Sequence, residues 1–190
     1  MSELVARTGR HLQRYEDGCR LVAGCIPFRY RNHAENDNDT CEKDVEVLMI
    51  NSTSGPNLVF PKGGWENDET VEEAAAREAV EEAGVRGDLV HFLDYYCFKS
   101  KTLQDEFCPE GLCKAAMFVL LVKEELPSWP EQSTRQRSWL TIPEAMACCR
   151  HEWMRKALVE GFSEWHKDQM ITAPKEENHV ISSDLSPDQD

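Results

Sequence analysis

Glu78, Glu81 and Glu82 place three carboxylates within five consecutive residues, and what they could do depends on the backbone that carries them. On an α-helix, at about 100° per residue, all three fall within an arc of roughly 100°. They share one face. Ala76, Ala79, Val80 and Ala83 fall on the opposite side, a narrow apolar surface suited to lying close against a sheet. Like charges within one turn repel by several tenths of a kcal/mol per pair in water, and more when partly buried, a cost that a divalent cation removes. Mg²⁺ suits such a set because it prefers oxygen ligands and is commonly shared between a few carboxylates and the phosphates of a substrate; Mn²⁺ is the alternative. A solvated, glutamate-rich surface helix is the non-chemical reading of the same residues.

The segment just before this helix bears on that choice. Phe60-Pro61-Lys62-Gly63-Gly64 follows an apolar run, and two adjacent glycines let backbone N–H groups approach an anion closely. A strand, a glycine loop and a helix thus deliver phosphate donors and metal ligands to one place. Thr70 followed by Glu73 marks the helix start as a capping box, and Gly84 stands at the C′ position. Three consecutive alanines, Ala74–Ala76, and no internal Gly or Pro support a helix between them.

Other elements must hold this unit. Arg20–Phe28 reads as a strand, with Pro27 placing its end near a sheet edge. Glu46–Ile50 and Leu58–Phe60 predict a hairpin around the turn residues Asn51–Asn57, and Asn32–Asp44 reads as a loop or insertion. Val90–Phe98 and Ala115–Val122 predict two more strands, the second buried on both faces. Thr141-Ile-Pro-Glu144 is a second capping box, opening a helix that includes Met146, and a last amphipathic helix runs from about Glu152 to His166. The organisation is then an N-terminal arm over residues 1–15, one domain over 16–167 and an acidic, disordered tail over 168–190.

Read as one string, Gly63–Val85 (GGWENDETVEEAAAREAVEEAGV) resembles the Nudix box of the Nudix hydrolases, GX5EX7REUXEEXGU with U aliphatic. Gly63, Glu69, Arg77, Glu78, Glu81, Glu82 and Gly84 hold its seven fixed positions, and Ala79, small for its slot, and Val85 hold the U positions. With residue types each at roughly 5–10% of usage, seven such identities have a chance probability on the order of 10⁻⁸ per start site. The resemblance implies an α/β/α sandwich with a mixed β-sheet between helices, and hydrolysis of a diphosphate joined to another moiety. It implies metal ligation by Glu78, Glu81 and Glu82, one of them doubling as the base that activates water. Glu69 and Arg77 would brace the loop against the helix, with Gly84 structural.

The runs at Arg20–Tyr30, Leu58–Glu66 and Arg135–Trp139 are similar to the diphosphoinositol polyphosphate phosphohydrolase branch, particularly its plant members. That branch also cleaves diadenosine polyphosphates. A substrate with six or more phosphates needs many cations, and Arg20, Lys62, Lys99, Lys101, Arg135 and Arg137 are the candidates, beside Gly63 and Gly64. A dedicated dinucleoside polyphosphate or other nucleoside diphosphate hydrolase would instead want an aromatic platform, from Trp65, Tyr95, Tyr96 or Phe98; the last three read rather as strand packing. A catalytically silent Nudix-fold binding module is the non-enzymatic alternative.

Composition sets outer bounds. The net charge of −14 argues against a nucleic-acid polymer as partner, but 32–46, 66–82 and 168–190 together carry −17, which leaves +3 elsewhere and room for a local basic surface. No apolar run is long enough to cross a bilayer. Eight cysteines without a C-x-x-C pair predict reduced, mostly buried thiols, hence the cytoplasm or nucleus. The arginines at positions 7, 10 and 14 make the mitochondrion the second choice. Trp129, Trp139, Trp153 and Trp165 predict C-terminal packing, and oligomeric state is open.

Overall fold

In a computed structural model that describes residues 4–31, 44–100 and 108–172, the sheet is built around one strand. β1 (Tyr15–Glu16) turns through Asp17 and Gly18, both at positive φ, into the 13-residue β2 (Cys19–Arg31). β3 (Asp44–Asn51) and β4 (Leu58–Val59) form the predicted hairpin, with Ile50 opposite Val59. β5 (Lys62–Gly64) precedes α1 (Val71–Ala83); β6 (Val85–Lys99) and β7 (Leu112–Glu125) pair antiparallel; β8 (Arg137–Leu140) pairs with β3. The order is β4-β3-β2-β7-β6, with β1 and β5 on β2 and β8 on β3. Among the described strand pairs only β2 and β7 run parallel, from Arg20 opposite Cys113 to Phe28 opposite Leu121, so the sheet is mixed. β7 carries an unbroken buried run from Ala115 to Leu120, the pattern of a strand covered on both faces.

Pro27 does not mark an edge. β2 is central and continues to Arg31. On the flank where Cys25 N–H donates to the Pro61 carbonyl, β2 changes partner from β5, which ends opposite Gly24, to β3, which begins opposite Phe28. Pro27 falls in that gap, where a missing N–H breaks no ladder bond.

Helices cover both faces. α1 lies on the side of Gly63 and Ala23. On the other side, α2 (Ile142–Cys148), opened by the full Thr141–Glu144 capping box, leads to α3 (Glu152–Lys156), a π-helical stretch (Ala157–Ser163) and α4 (Glu164–Thr172). Phe28 of β2 meets Phe162 at 5.4 Å and Trp165 at 5.8 Å between ring centroids, and Phe98 stacks on Trp153 at 4.9 Å. The helical path therefore extends past His166 and runs five residues into the segment read as a tail; 173–190 lie outside the described residues, as does the 32–43 part of the expected insertion. No helix among the described residues is long and apolar enough to cross a membrane. The described cysteines are free thiols, with Cys25, Cys108, Cys113 and Cys149 buried and Cys97 exposed.

Candidate active site

α1 is capped at both ends by its own sequence. Thr70 Oγ1 accepts from Glu73 N–H at 3.1 Å, and Gly84 adopts φ 64°, a left-handed cap whose N–H returns to the carbonyls of Ala79 and Val80. The helix is rotated from the wheel drawn on its apolar residues. Ala74, Ala75, Ala79 and Ala83 are buried together with Glu78 and Glu81, whereas Ala76 is exposed and Val80 half-buried. The acidic and packed faces overlap. The reason is β5: Gly63 has no side chain, and a Cβ there would overlap the Glu78 carboxylate. The glycine pair is a strand paired with Val22–Gly24 rather than an open loop, and the space it frees holds protein side chains, Glu78 at Gly63 and Gln13 with Arg20 at Gly64.

Arg77 ties the loop to the helix. Its Nε and Nη2 donate to the two Glu69 oxygens at 2.9 and 2.8 Å, its Nη2 also reaches the Gly64 carbonyl at 2.8 Å, and its Nη1 meets Glu78 Oε1 at 2.7 Å and Glu81 Oε2 at 3.2 Å. Burial works against a charged Glu69, but the Arg77 bonds and the Glu66 N–H outweigh it and hold its pKa below the usual range. Burial also opposes the Arg77 charge, and Glu69 and Glu78 overcome it, so the guanidinium stays fixed as a cation.

Glu82 is held separately. Its Oε2 accepts from Lys62 N–H at 3.0 Å, and its Oε1 pairs with Arg135 Nη2 at 3.1 Å. The pKa of Glu78 is driven upward by desolvation and then by the charge of Glu82, with Arg77 pulling the other way. Desolvation raises Glu82 too, against Lys62 and Arg135, and it raises Glu81. Among the described residues no three Asp, Glu, His or Cys groups gather around one point, because Arg77 takes Glu78 and Glu81 while Arg135 takes Glu82. Hard carboxylate donors that are desolvated and mutually repelling nonetheless fit Mg²⁺ in kind, since that ion needs only a few carboxylates and completes its shell with waters and substrate phosphates.

The cations divide. Arg20 flanks Gly64, its Nη2 standing 3.0 Å from where a Cβ would be, and Lys62 extends its Nζ to 5.6 Å from the Phe98 ring centroid. Arg135 also donates to the Asn51 carbonyl at 2.8 Å. Arg137, expected among the phosphate donors, instead binds the carbonyls of Gly84 and Leu126 at 3.1 and 3.0 Å and lies over Trp129, because β8 directs it to the far end of α1. Lys99 is exposed at the end of β6, and Lys101 lies outside the described residues. Of the aromatic candidates, Tyr96 and Phe98 pack on Trp153, while Trp65 and the exposed Tyr95 line a cleft of about 730 Å³ with Arg14 and Lys114.

The N-terminal arm supplies contacts that periodicity did not reveal. Arg7 pairs with Glu66 and Asp68, its N–H donates to Glu81 Oε1 at 3.2 Å, and Arg14 donates to the carbonyls of Glu66, Asn67 and Glu69 at 2.9–3.0 Å.

A model of the NUDIX domain matches residues 37–161. The chain belongs to the Nudix hydrolase family. Nudix hydrolase 16, mitochondrial, of Arabidopsis thaliana is 69% identical over 171 residues, covering 90% of this chain and 95% of that protein. Diphosphoinositol polyphosphate phosphohydrolase 3-alpha of Mus musculus is 31% identical over 133 residues, 68% of this chain and 69% of the relative. Among solved structures, a C. elegans Ap4A hydrolase binary complex superposes with a TM-score of 0.56 at 17% identity, over 78% of this chain and 98% of that one, a likeness of fold. This Nudix hydrolase is thus an enzyme of pyrophosphate-bond hydrolysis, acting on small phosphorylated substrates in a family that generally uses divalent metal ions. The family match begins after β2, so Gln13 and Arg20 precede it.

Proposed function

We propose that this Nudix hydrolase cleaves the diphosphate groups of diphosphoinositol polyphosphates, with side activity on diadenosine polyphosphates. The observation that carries the reading is the position of β5 between the box carboxylates, with Glu78 at Gly63 and Glu82 accepting from the Lys62 backbone N–H, and the cations of Lys62, on the strand itself, and of Arg20, brought to Gly64 from β2. The similarity to the murine phosphohydrolase points the same way. Glu78, Glu81 and Glu82 would hold Mg²⁺, or Mn²⁺, which when bound draws charge from the scissile diphosphate. The protein's own part is positional: Arg77 fixes Glu69 against the helix, and Arg20 and Lys62 meet phosphate oxygens as charged donors. Desolvation makes Glu78 and Glu82 more basic than ordinary glutamates, which suits one of them to take the proton of the attacking water.

The second substrate reading, a dedicated dinucleoside polyphosphate hydrolase, draws on one specific feature. The cleft that holds Trp65 and Tyr95 has the aromatic surface a base requires. Initial rates on diphosphoinositol pentakisphosphate and on diadenosine polyphosphates, at equal enzyme and Mg²⁺, separate the two. A kcat/KM at least tenfold in favour of the inositol substrate is expected, and the reverse order overturns the assignment. For location, relatives named as mitochondrial favour the mitochondrion over the cytoplasm or nucleus suggested by the cysteines.

A further inference from the structure

Gln13 is a buried glutamine, 7% exposed, with no role in the box. Its Nε2 meets the carbonyls of Leu21, Arg14 and Trp65 at 2.7, 2.9 and 3.2 Å, and its Oε1 accepts from Arg20 Nε at 3.0 Å. Three carbonyls on one side require the amide nitrogen there, so the oxygen must face the guanidinium. One side chain thereby joins the arm, β2 and the strand end beyond Gly64, and it fixes the plane of Arg20.

Among the described residues Arg20 differs from its neighbours in making no ion pair, although the charge of Glu78 reaches it. Arg7, Arg77 and Arg135 each pair with carboxylates, and Arg14 donates to three carbonyls. Among the described residues Arg20 forms no ion pair, and its only side-chain hydrogen bond goes to a neutral amide, although burial lowers its pKa. A partly desolvated cation without an anion is costly, and an anionic ligand relieves that cost. We propose that Gln13 is a positioning residue that presents Arg20 to the anionic part of the substrate without neutralising it. A carboxylate at position 13 would meet the guanidinium equally well but would cancel its charge and face three carbonyls with no proton to offer.

This inference rests on the reading of Arg20 as a phosphate donor, and a double-mutant cycle separates the two. With Mg²⁺ and diphosphoinositol pentakisphosphate or diadenosine tetraphosphate, Gln13→Met should raise KM roughly five- to tenfold with kcat within about threefold, a ground-state binding loss. Arg20→Ala should raise KM by about tenfold or more. Added to Arg20→Ala, Gln13→Met should raise KM no further, because its effect passes through the same guanidinium. If Gln13→Met multiplies the Arg20→Ala effect in full, Gln13 acts elsewhere and the inference fails. An unchanged KM for Arg20→Ala fails the reading of Arg20 itself. Because Gln13→Met leaves three carbonyls unmet and is open to misfolding, Gln13→Glu gives an independent arm: it keeps an oxygen on Arg20 Nε, and its KM should still rise. A wild-type KM in Gln13→Glu overturns the requirement for a neutral partner.

Discussion

Gly63 and Gly64 are neighbours in one short strand, yet the spaces they leave hold opposite charges. Successive residues of a strand face opposite sides of the sheet, so Gly63 admits the Glu78 carboxylate from α1 and Gly64 admits Gln13 and Arg20. The contrast teaches that the glycine pair separates two jobs. An anionic set suited to a cation stands on one side of β5 and a cation suited to a phosphate on the other, close enough that the charge of Glu78 still reaches Arg20.

The anionic side should give the largest effect. Glu82→Gln keeps size and removes charge, and turnover should fall on the order of 10²-fold or more, as when preorganised charge at a reacting phosphate is lost. Steady-state rates with metal binding confirmed by calorimetry check this, and a near-normal rate with the ion still bound would remove Glu82 from the chemistry. Next come the glycines. In Gly63→Ala the new methyl group displaces the Glu78 carboxylate from its contact with Arg77, so kcat should drop by about tenfold to 10²-fold. Gly64→Ala displaces the Gln13 amide and crowds Arg20, so KM should rise by about fivefold while kcat holds. Were both variants to lose kcat alike, the division between the two faces would be wrong.

The charge contrast also sets a pH dependence. The carboxyl groups of Glu78 and Glu82 have raised pKa values in the folded chain, so the stability tied to their protonated forms is present below the ordinary carboxylate range and is lost as pH rises through the raised values. Metal-free protein should therefore melt at progressively lower temperature on that account as pH rises. On the proposed assignment Mg²⁺ is held by the deprotonated groups, so the increase in Tm produced by saturating Mg²⁺ should be several degrees larger at pH 8.5 than at pH 6. Scanning fluorimetry with and without the ion tests it; an increment independent of pH would mean that these carboxylates are not what the ion meets.

Much of this was legible in the sequence, for a physical reason. Thr70, Gly84 and the Thr141–Glu144 box act through bonds a few residues long, so the ends of α1 and the start of α2 could be read locally. The unbroken apolar run of β7 likewise reports burial on two faces. What could not be read depends on distant partners. The rotation of α1 follows from the room at Gly63, the tolerance of Pro27 from a change of neighbours along β2, and the burial of Gln13 from carbonyls on three separate segments. The helix past Lys167 continues from a π-helical segment whose Phe162 is anchored on Phe28, a contact that composition alone does not encode. Arg135 and Arg137 sit two residues apart with the same chemistry, but Arg135, in the loop before β8, reaches Glu82, whereas Arg137, the first residue of β8, reaches the cap of α1.

That last pair gives the smallest effect and the finest test of the comparison. Among the described residues Arg137 pairs with no anion: it donates to the carbonyls of Gly84 and Leu126, and its guanidinium lies 4.1 Å from the Trp129 ring centroid. Trp129 in turn donates from Nε1 to the Glu82 carbonyl at 3.2 Å, so Arg137 supports the end of the helix that carries the glutamates and touches none of their carboxylates. Hydrogen bonds from a charged donor contribute on the order of 2 kcal/mol, which for a domain of this size lowers Tm by roughly 4–8 °C when they are removed. Arg137→Ala should show that loss in a thermal melt while kcat/KM stays within about twofold at a temperature where the variant is folded. A KM raised tenfold with an unchanged Tm would return Arg137 to the substrate side, and the cationic region would then extend well beyond Gly64.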